Sequence, residues 1–256
     1  MMKNNFLKKK LESGSTVFGT WLSIPSTALL DVICSSGFDF MILDREHAPI
    51  SFESLQDLII ICESRSVSPI VRTTSATEAE ILRSLDLGTH GIQIPNVSNF
   101  ETVKNIVSFS KFPPIGNRGF SPFTRAANYN QKLPKDYTDI ANSESLVIVQ
   151  IEGIEGFKNL DQILTNQAVD IIFLGLFDIS KALGVPGQIR SLQVRNTVES
   201  LVSKILANGK IAGAIATTPD DVSFLKQIGV RYLTYSVDVA LIGERFTELV
   251  NTILKT

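Results

Sequence analysis

Cysteine is almost missing from this 256-residue chain: Cys34 and Cys62 are the only two, each inside an apolar, helix-like pattern. That leaves no disulfide framework and no cysteine metal knuckle, and both thiols read as small buried hydrophobes. No run of 18 apolar residues occurs, which excludes a membrane-spanning helix. The opening stretch Met1–Lys10 is polar with no apolar segment behind it, so no secretory leader is expected and the chain reads as cytoplasmic. Charge of one sign is lacking too. A net −2 offers no general attraction to nucleic acid or anionic lipid, and Lys8–Lys10 reads as the solvated face of a first helix. Histidine is scarce, with only His47 and His90. The chain has no GxGxxG, no Walker A and no GxSxG, so dinucleotide, nucleotide and serine-hydrolase readings have no motif to rest on.

What is present is a rhythm. Short runs rich in Val and Ile recur at Val17–Leu22, Phe38–Asp44, Pro69–Thr73, Gly91–Val97, Leu146–Glu152, Asp170–Leu176, Lys210–Ala216 and Arg231–Ser236. Nearly continuous apolar character is that of strands buried on both faces. Amphipathic stretches separate them: Thr27–Ser36, Phe52–Ser64, Ala76–Leu87, Asn99–Lys111, Gly156–Thr165, Leu192–Asn208 and Pro219–Ile228. Ser51 is placed to cap one, and Thr77 with Glu80 forms a candidate capping box. Gly37, Gly88, Gly209 and Gly229 each follow a helical stretch, where a left-handed C′ residue belongs. Eight strands alternating with helices, closed by a last helix at Asp238–Leu254, predict a parallel (β/α)8 TIM barrel formed by residues 1–256 as one domain. A doubly wound open sheet is the alternative, without its usual nucleotide signals. The segment Phe112–Glu144 breaks the rhythm, and a connection that long is often functional.

In such a barrel the active site lies at the carboxyl ends of the strands. The run FDFMILDREHAP at 38–49 ends in Asp44, Arg45, Glu46 and His47, ionisable groups that belong at a rim because burying them unpaired is costly. Arg72 ends the third strand, Asn96 marks the fourth and Glu152 the fifth. Asp178 follows the sixth and Asp238 ends the eighth. Two carboxylates on neighbouring strands suit one hard cation, with water and substrate oxygens completing the shell; Mg²⁺ fits, as do Mn²⁺ and Co²⁺. Arg72 offers a fixed fork of donors for a carboxylate or enolate oxygen, or for a salt bridge to Asp44 or Glu46. His47 has Asp44 three residues upstream, a spacing that lets the carboxylate orient an imidazole for proton transfer. His90, at the opposite rim, reads as structural. No lysine stands at a strand end for Schiff-base chemistry, since Lys181 comes too late and Lys210 opens its strand at the wrong rim. Carbanion chemistry here would therefore use a metal.

The ordered set GTW at 19–21, GFDFMILDREHAP at 37–49, VRT at 71–73, LDLGTHGIQIPNV at 85–97, PPIGNRG at 113–119, RAANY at 125–129, QIEG at 150–153, GLFDIS at 175–180 and SVD at 236–238 resembles the HpcH/HpaI family of class II pyruvate aldolases. The resemblance implies that Glu152 and Asp178 bind a divalent metal and that Arg72 holds the pyruvate carbonyl oxygen. It implies that His47 transfers a proton with Asp44 as its partner, and that Asp86 acts at a subunit interface near the active site. It also implies a homo-oligomer, commonly a hexamer, whose last helix packs on a neighbouring subunit. The chain departs from the family pattern where Leu176-Phe177 precede Asp178, placing a bulky Phe177 by the substrate carboxylate, and at Asn96, where the family has a methionine.

The expected activity is a metal-dependent aldolase that reversibly cleaves a 4-hydroxy-2-oxo acid to pyruvate, or a close 2-oxo acid, and an aldehyde. Either His47 or a metal-bound water removes the hydroxyl proton. Two other readings share the barrel: an acyl-CoA-type lyase of the citryl or malyl kind, and a degenerate non-catalytic barrel. No nucleic acid or membrane is expected among the partners.

Overall fold

Eight short apolar runs pair side by side in chain order, each parallel to the last, and the eighth returns to the first. In the computed structural model, which describes residues 5–255, the strands are β1 Val17–Leu22, β2 Phe40–Asp44, β3 Ser68–Arg72, β4 Gly91–Ile94, β5 Leu146–Ile151, β6 Ile171–Leu174, β7 Ile211–Ala216 and β8 Tyr232–Val237. Met1–Asn4, with which the leader expectation begins, and Thr256 lie outside the described residues. The helices are α1 Phe6–Glu12, α2 Thr27–Cys34, α3 Phe52–Ser64, α4 Glu78–Asp86, α5 Phe100–Ser110, α6 Tyr137–Glu144, α7 Ile154–Lys158, α8 Leu160–Ile163, α9 Leu176–Ala182, α10 Leu192–Ala207, α11 Pro219–Gln227 and α12 Asp238–Ile253. The expected (β/α)8 barrel is what the chain forms. Among the described residues no helix is long and apolar enough to cross a membrane.

Local chemistry sets the boundaries. Ser51 caps α3 as expected, accepting from the Ser54 N–H. Thr77 makes no such bond; the reciprocal capping box forms instead at Thr218 and Asp221, opening α11. Gly37, Gly88, Gly209 and Gly229 all hold positive φ, the left-handed turn that ends a helix without a Cβ clash. The expected helix Gly156–Thr165 is two short ones, α7 and α8, broken at Asn159. Helices α6 and α9 have no counterpart in the sequence reading because both are short.

The barrel interior is filled by aromatic rings. Phe40 and Tyr232 stack at 4.2 Å, Phe173 meets Tyr232 edge-on at 6.1 Å, and Trp21 meets Phe173 edge-on at 5.7 Å. Gly213 makes this packing fit: a Cβ there would lie 2.8 Å from the Tyr232 ring. Trp21 tops the aromatic cluster, so the core ends where the mouth begins. Leu, Ile and Val from the strands' outer faces pack against the surrounding helices.

The long connection between α5 and β5 sits at the amino-terminal rim, away from the mouth. Its polar groups are spent on holding that rim. Arg118 donates to Asp86, while Arg125 pairs with Glu63 and donates to the Leu87 carbonyl. Buried Lys111, which opens the connection, donates to the Asn142 and Ser145 carbonyls.

Candidate active site

A cavity of about 570 Å³ opens at the carboxyl ends of the strands, lined in part by Asp44, His47, Arg72, Gly175, Phe177 and Asp178. Residues from seven of the eight strands and the loops behind them therefore converge, as barrel geometry requires.

Arg72 is the hub of its polar side. The guanidinium carbon lies over Trp21, 4.3 Å from the ring centroid. Its Nε and Nη2 donate to the two Asp44 carboxylate oxygens at 2.8 and 2.7 Å, and Nη1 lies 2.9 Å from Glu46 Oε2. Three of the five guanidinium N–H groups are so engaged, leaving one on each Nη for a ligand. The fork is held rigidly, since Asp44 is itself fixed by the backbone N–H groups of Glu46 and His47.

This geometry corrects one expectation. Asp44 does not orient the His47 imidazole: it pairs with Arg72 and touches His47 only through the backbone. Register explains it, because Asp44 and Arg72 are partner residues on adjacent strands. The imidazole is largely exposed, and the carboxylate nearest its Nε2 is Glu46, at 3.9 Å.

Glu152 hangs between two donors. The Asn96 N–H reaches Oε1 at 2.8 Å and Gln150 Nε2 reaches Oε2 at 2.5 Å. Gln150 and Glu152 share one strand face at i, i+2 spacing, and Gln150 is held in turn by Gln93. Asn96 adopts positive φ, which aims its N–H at Glu152, and its side-chain amide donates to Glu46 at 3.2 Å. Gly175 leaves the gap that Glu152 occupies: a Cβ there would lie 2.6 Å from Oε2.

The electrostatics point one way. Burial pushes the Glu152 carboxyl above its usual range; the Gln150 and Asn96 hydrogen bonds oppose the rise, and the Asp178 and Glu46 charges add to it. Burial also raises Glu46, against the pull of Arg72 and His47 and with a further push from Asp44 and Asp178. Asp44, Glu46, Glu152 and Asp178 thus share one mouth with a single guanidinium, which pairs with the first two. Such a site has an excess of negative charge and suits a hard divalent cation. Among the described residues no three His, Cys, Asp or Glu side chains form a cage that could hold an ion alone.

Asp178, in the first turn of α9, and Phe177 beside it are both exposed at the rim. Phe177 therefore walls the entrance instead of filling the floor. Asp86 is not brought here: it ends α4 at the opposite rim, held by Arg118 at 2.8 Å. Asp238 is structural. Its buried carboxylate accepts from the Ser23, Ile24 and Val239 N–H groups, tying the end of β8 to the loop after β1. His90 is buried at the amino-terminal rim beside Ser68 and Glu63. Sequence reasoning missed Gln150, Gly175 and Trp21 as site residues, whereas the expected Arg72–Glu46 pair forms. For Gln150 the signal was available in its two-residue spacing from Glu152; for Trp21 nothing local announced it.

The profile of the HpcH/HpaI aldolase/citrate lyase family matches residues 17–242. A hydroxypyruvate/pyruvate aldolase of Roseobacter denitrificans is 31% identical to this chain, covering 93% of each. A 2-keto-3-deoxy-L-rhamnonate aldolase of Salmonella paratyphi B is also 31% identical, covering 94% of this chain and 90% of its own. Among solved structures, the citrate synthase SbnG is 32% identical with a TM-score of 0.89, covering 97% of both chains.

Proposed function

The chain belongs to the HpcH/HpaI aldolase/citrate lyase family, and on that premise we propose that residues 1–256 act as one barrel domain, a cytoplasmic class II aldolase. It reversibly cleaves a 4-hydroxy-2-oxo acid to pyruvate, or a close 2-oxo acid, and an aldehyde. The observation that carries this reading is the carboxylate excess around Arg72, with Glu152 buried and suspended between Asn96 and Gln150. Free, buried Cys34 and Cys62 suit a reducing compartment.

Glu152 and Asp178 would hold a divalent cation, Mg²⁺, Mn²⁺ or Co²⁺. When bound, that cation supplies positive charge beside the 2-oxo acid's oxygens and lowers the energy of its enolate. Arg72 turns its two remaining N–H groups to the same carbonyl oxygen, and its fork cannot swing because Asp44, Glu46 and Trp21 hold it on three sides. His47, exposed at the mouth, takes the C4 hydroxyl proton in cleavage and returns it in synthesis. Phe177 covers the substrate at the rim. Asp86 faces the far rim of its own barrel, so it can serve an active site only across a subunit interface. A homo-oligomer, hexameric by resemblance, gives it that place. Helix α12 supports assembly: Phe246, Leu249, Val250 and Ile253 on it are all exposed, a larger apolar surface than a lone helix leaves to water.

The test is exchange of the pyruvate methyl protons in D₂O, followed by NMR after chelator treatment and metal add-back. Metal-dependent exchange is expected, with loss in Glu152→Gln. Absence of exchange while calorimetry shows the cation bound would overturn the reading. The likeness to a citrate synthase favours a second reading, in which an acyl thioester supplies the enolate. Release of free thiol from acetyl-CoA in the presence of a 2-oxo acid would select it.

A further inference from the structure

One glutamine is buried inside the barrel where the fold needs only a hydrocarbon. Strand β4 turns Ile92 and Ile94 outward against the helices, and the two-residue alternation of a strand then turns Gln93 inward. Gln93 is 0% exposed and is not part of the cavity lining. Its Nε2 donates to Gln150 Oε1 at 2.8 Å, whereas its own Oε1 accepts from no donor among the described residues. A half-paired amide weakens a core, because an apolar side chain of similar shape would leave no acceptor stranded. Packing therefore gives no reason for Gln93, but Gln150 does.

Gln150 reaches the cavity and makes the next link, its Nε2 donating to Glu152 Oε2 at 2.5 Å. A carboxylate that holds a cation is ionised and can only accept, so Gln150 must face it with its NH2 end. The Gln150 carbonyl then needs a donor of its own, and Gln93 supplies it from within the barrel. The row runs in one direction only: reversing the Gln93 amide would set two carbonyl oxygens against each other. The last torsion of a glutamine is broad and roughly two-fold, so local sterics do not choose between the two faces of the Gln150 amide. Turned over, Gln150 would present its oxygen to Glu152 and repel the carboxylate.

We propose that Gln93 is a positioning residue for the cation site, holding the Gln150 amide in the one orientation that steadies Glu152 as a ligand. This rests on the metal-dependent aldolase reading above and adds to it a residue that touches neither cation nor substrate. The Gln93–Gln150 bond is buried inside the barrel, so a neighbouring subunit neither supplies nor removes its partners.

Calorimetric titration of Mn²⁺ into the chelator-treated, full-length protein tests the proposal through a double-mutant cycle. Gln93→Met keeps the unbranched shape and removes the donor. Mn²⁺ affinity is expected to fall about 10-fold, the effect of one buried hydrogen bond lost from the set that holds Glu152. In a Gln150→Met background the same change should alter affinity by less than about twofold, because the link it acts through is gone. The urea midpoint of Gln93→Met should match that of the parent, since one unpaired oxygen replaces another. Parent-like affinity in Gln93→Met, or an equal loss with and without Gln150, would overturn the proposal and leave the cation site standing. Failure of Gln93→Met to fold, or unfolding at clearly lower urea, would overturn it too and make Gln93 a residue of the scaffold. A folded parent that binds no Mn²⁺ would take down both the proposal and the reading beneath it.

Discussion

Gly175→Ala should weaken cation binding without unfolding the protein. Gly175 has φ −79°, so backbone freedom is not the reason for glycine here; space is. An added Cβ would lie 2.6 Å from Glu152 Oε2 and 3.0 Å from Glu152 Cβ, whereas ordinary contact begins at 3.4 Å. The carboxylate must retreat by about 0.8 Å, the difference between 3.4 and 2.6 Å. It has little freedom to do so, because Asn96 holds one oxygen at 2.8 Å and Gln150 the other at 2.5 Å. Losing the Gln150 bond to an ionised carboxylate costs about 1.5–3 kcal/mol, or about 10- to 150-fold in an equilibrium constant. Calorimetric titration of Mn²⁺ into the chelator-treated variant should show that loss, and pyruvate exchange should fall with it. Gly153→Ala is the control: it adjoins Glu152, has φ −129° and has nothing within 4 Å of an added Cβ. Its Mn²⁺ affinity should stay within about threefold of the parent, the range of a surface substitution of up to about 0.5 kcal/mol. Equal Mn²⁺ affinity in Gly175→Ala and the parent would refute the placement of Glu152 as a cation ligand.

Arg72→Ala strips the cation from buried Asp44 and half-buried Glu46 and should cost about 3–5 kcal/mol of stability by urea unfolding; a loss below about 1 kcal/mol would mean that water already screens the cluster. Asp221 gives a pH prediction. Burial alone would raise its carboxyl, but Arg190 and hydrogen bonds from Thr217 and Thr218 override that and hold it well below the usual range. A depressed folded pKa adds stability above the unfolded value, about 3.9, and that stability is lost as pH falls through the folded pKa. Asp221→Asn should therefore lower stability at pH 7 and flatten the acid limb of the melting-temperature profile below about pH 4. An unchanged acid limb would remove Asp221 from acid unfolding. Phe246→Asp on α12 should shift size-exclusion elution towards smaller species, and an unshifted profile would take α12 out of any subunit contact.

Much of the molecule was legible in one dimension. Strand β1 falls on its expected residues, Val17–Leu22, because Gly14 before it and Pro25 beyond it bracket the apolar run. The other strands come out shorter or shifted at one end, as at Gly91–Ile94, where the apolar character runs past the last ladder bond. The charges at Asp44–His47 announced a rim because no core tolerates them unpaired. Asp86 could not be placed in space from its motif, since LDLG reads alike whether its aspartate faces a mouth or the opposite rim, where the fold puts it. Phe112–Glu144 shows the same limit: length marks a connection as unusual without saying at which end of a barrel it lies, and the fold sets it at the amino-terminal rim beside Asp86.

The alternation of apolar runs, caps and glycines by itself determined the barrel, since each of these signals acts within a few residues of its own position. It determined as well that acids, a base and a guanidinium would meet at one end, because strand ends in a parallel barrel have only one place to go. Which of them pair was decided by tertiary structure. Asp44 meets Arg72 across 28 residues, Asn96 meets Glu152 across 56, and Ser23 meets Asp238 across 215. The same closure brings Trp21 under Arg72 and sets Val237 and Val239 opposite the carboxylates. A hydrogen bond or a dielectric boundary depends on distance in space, and barrel closure sets that distance between residues remote in the chain.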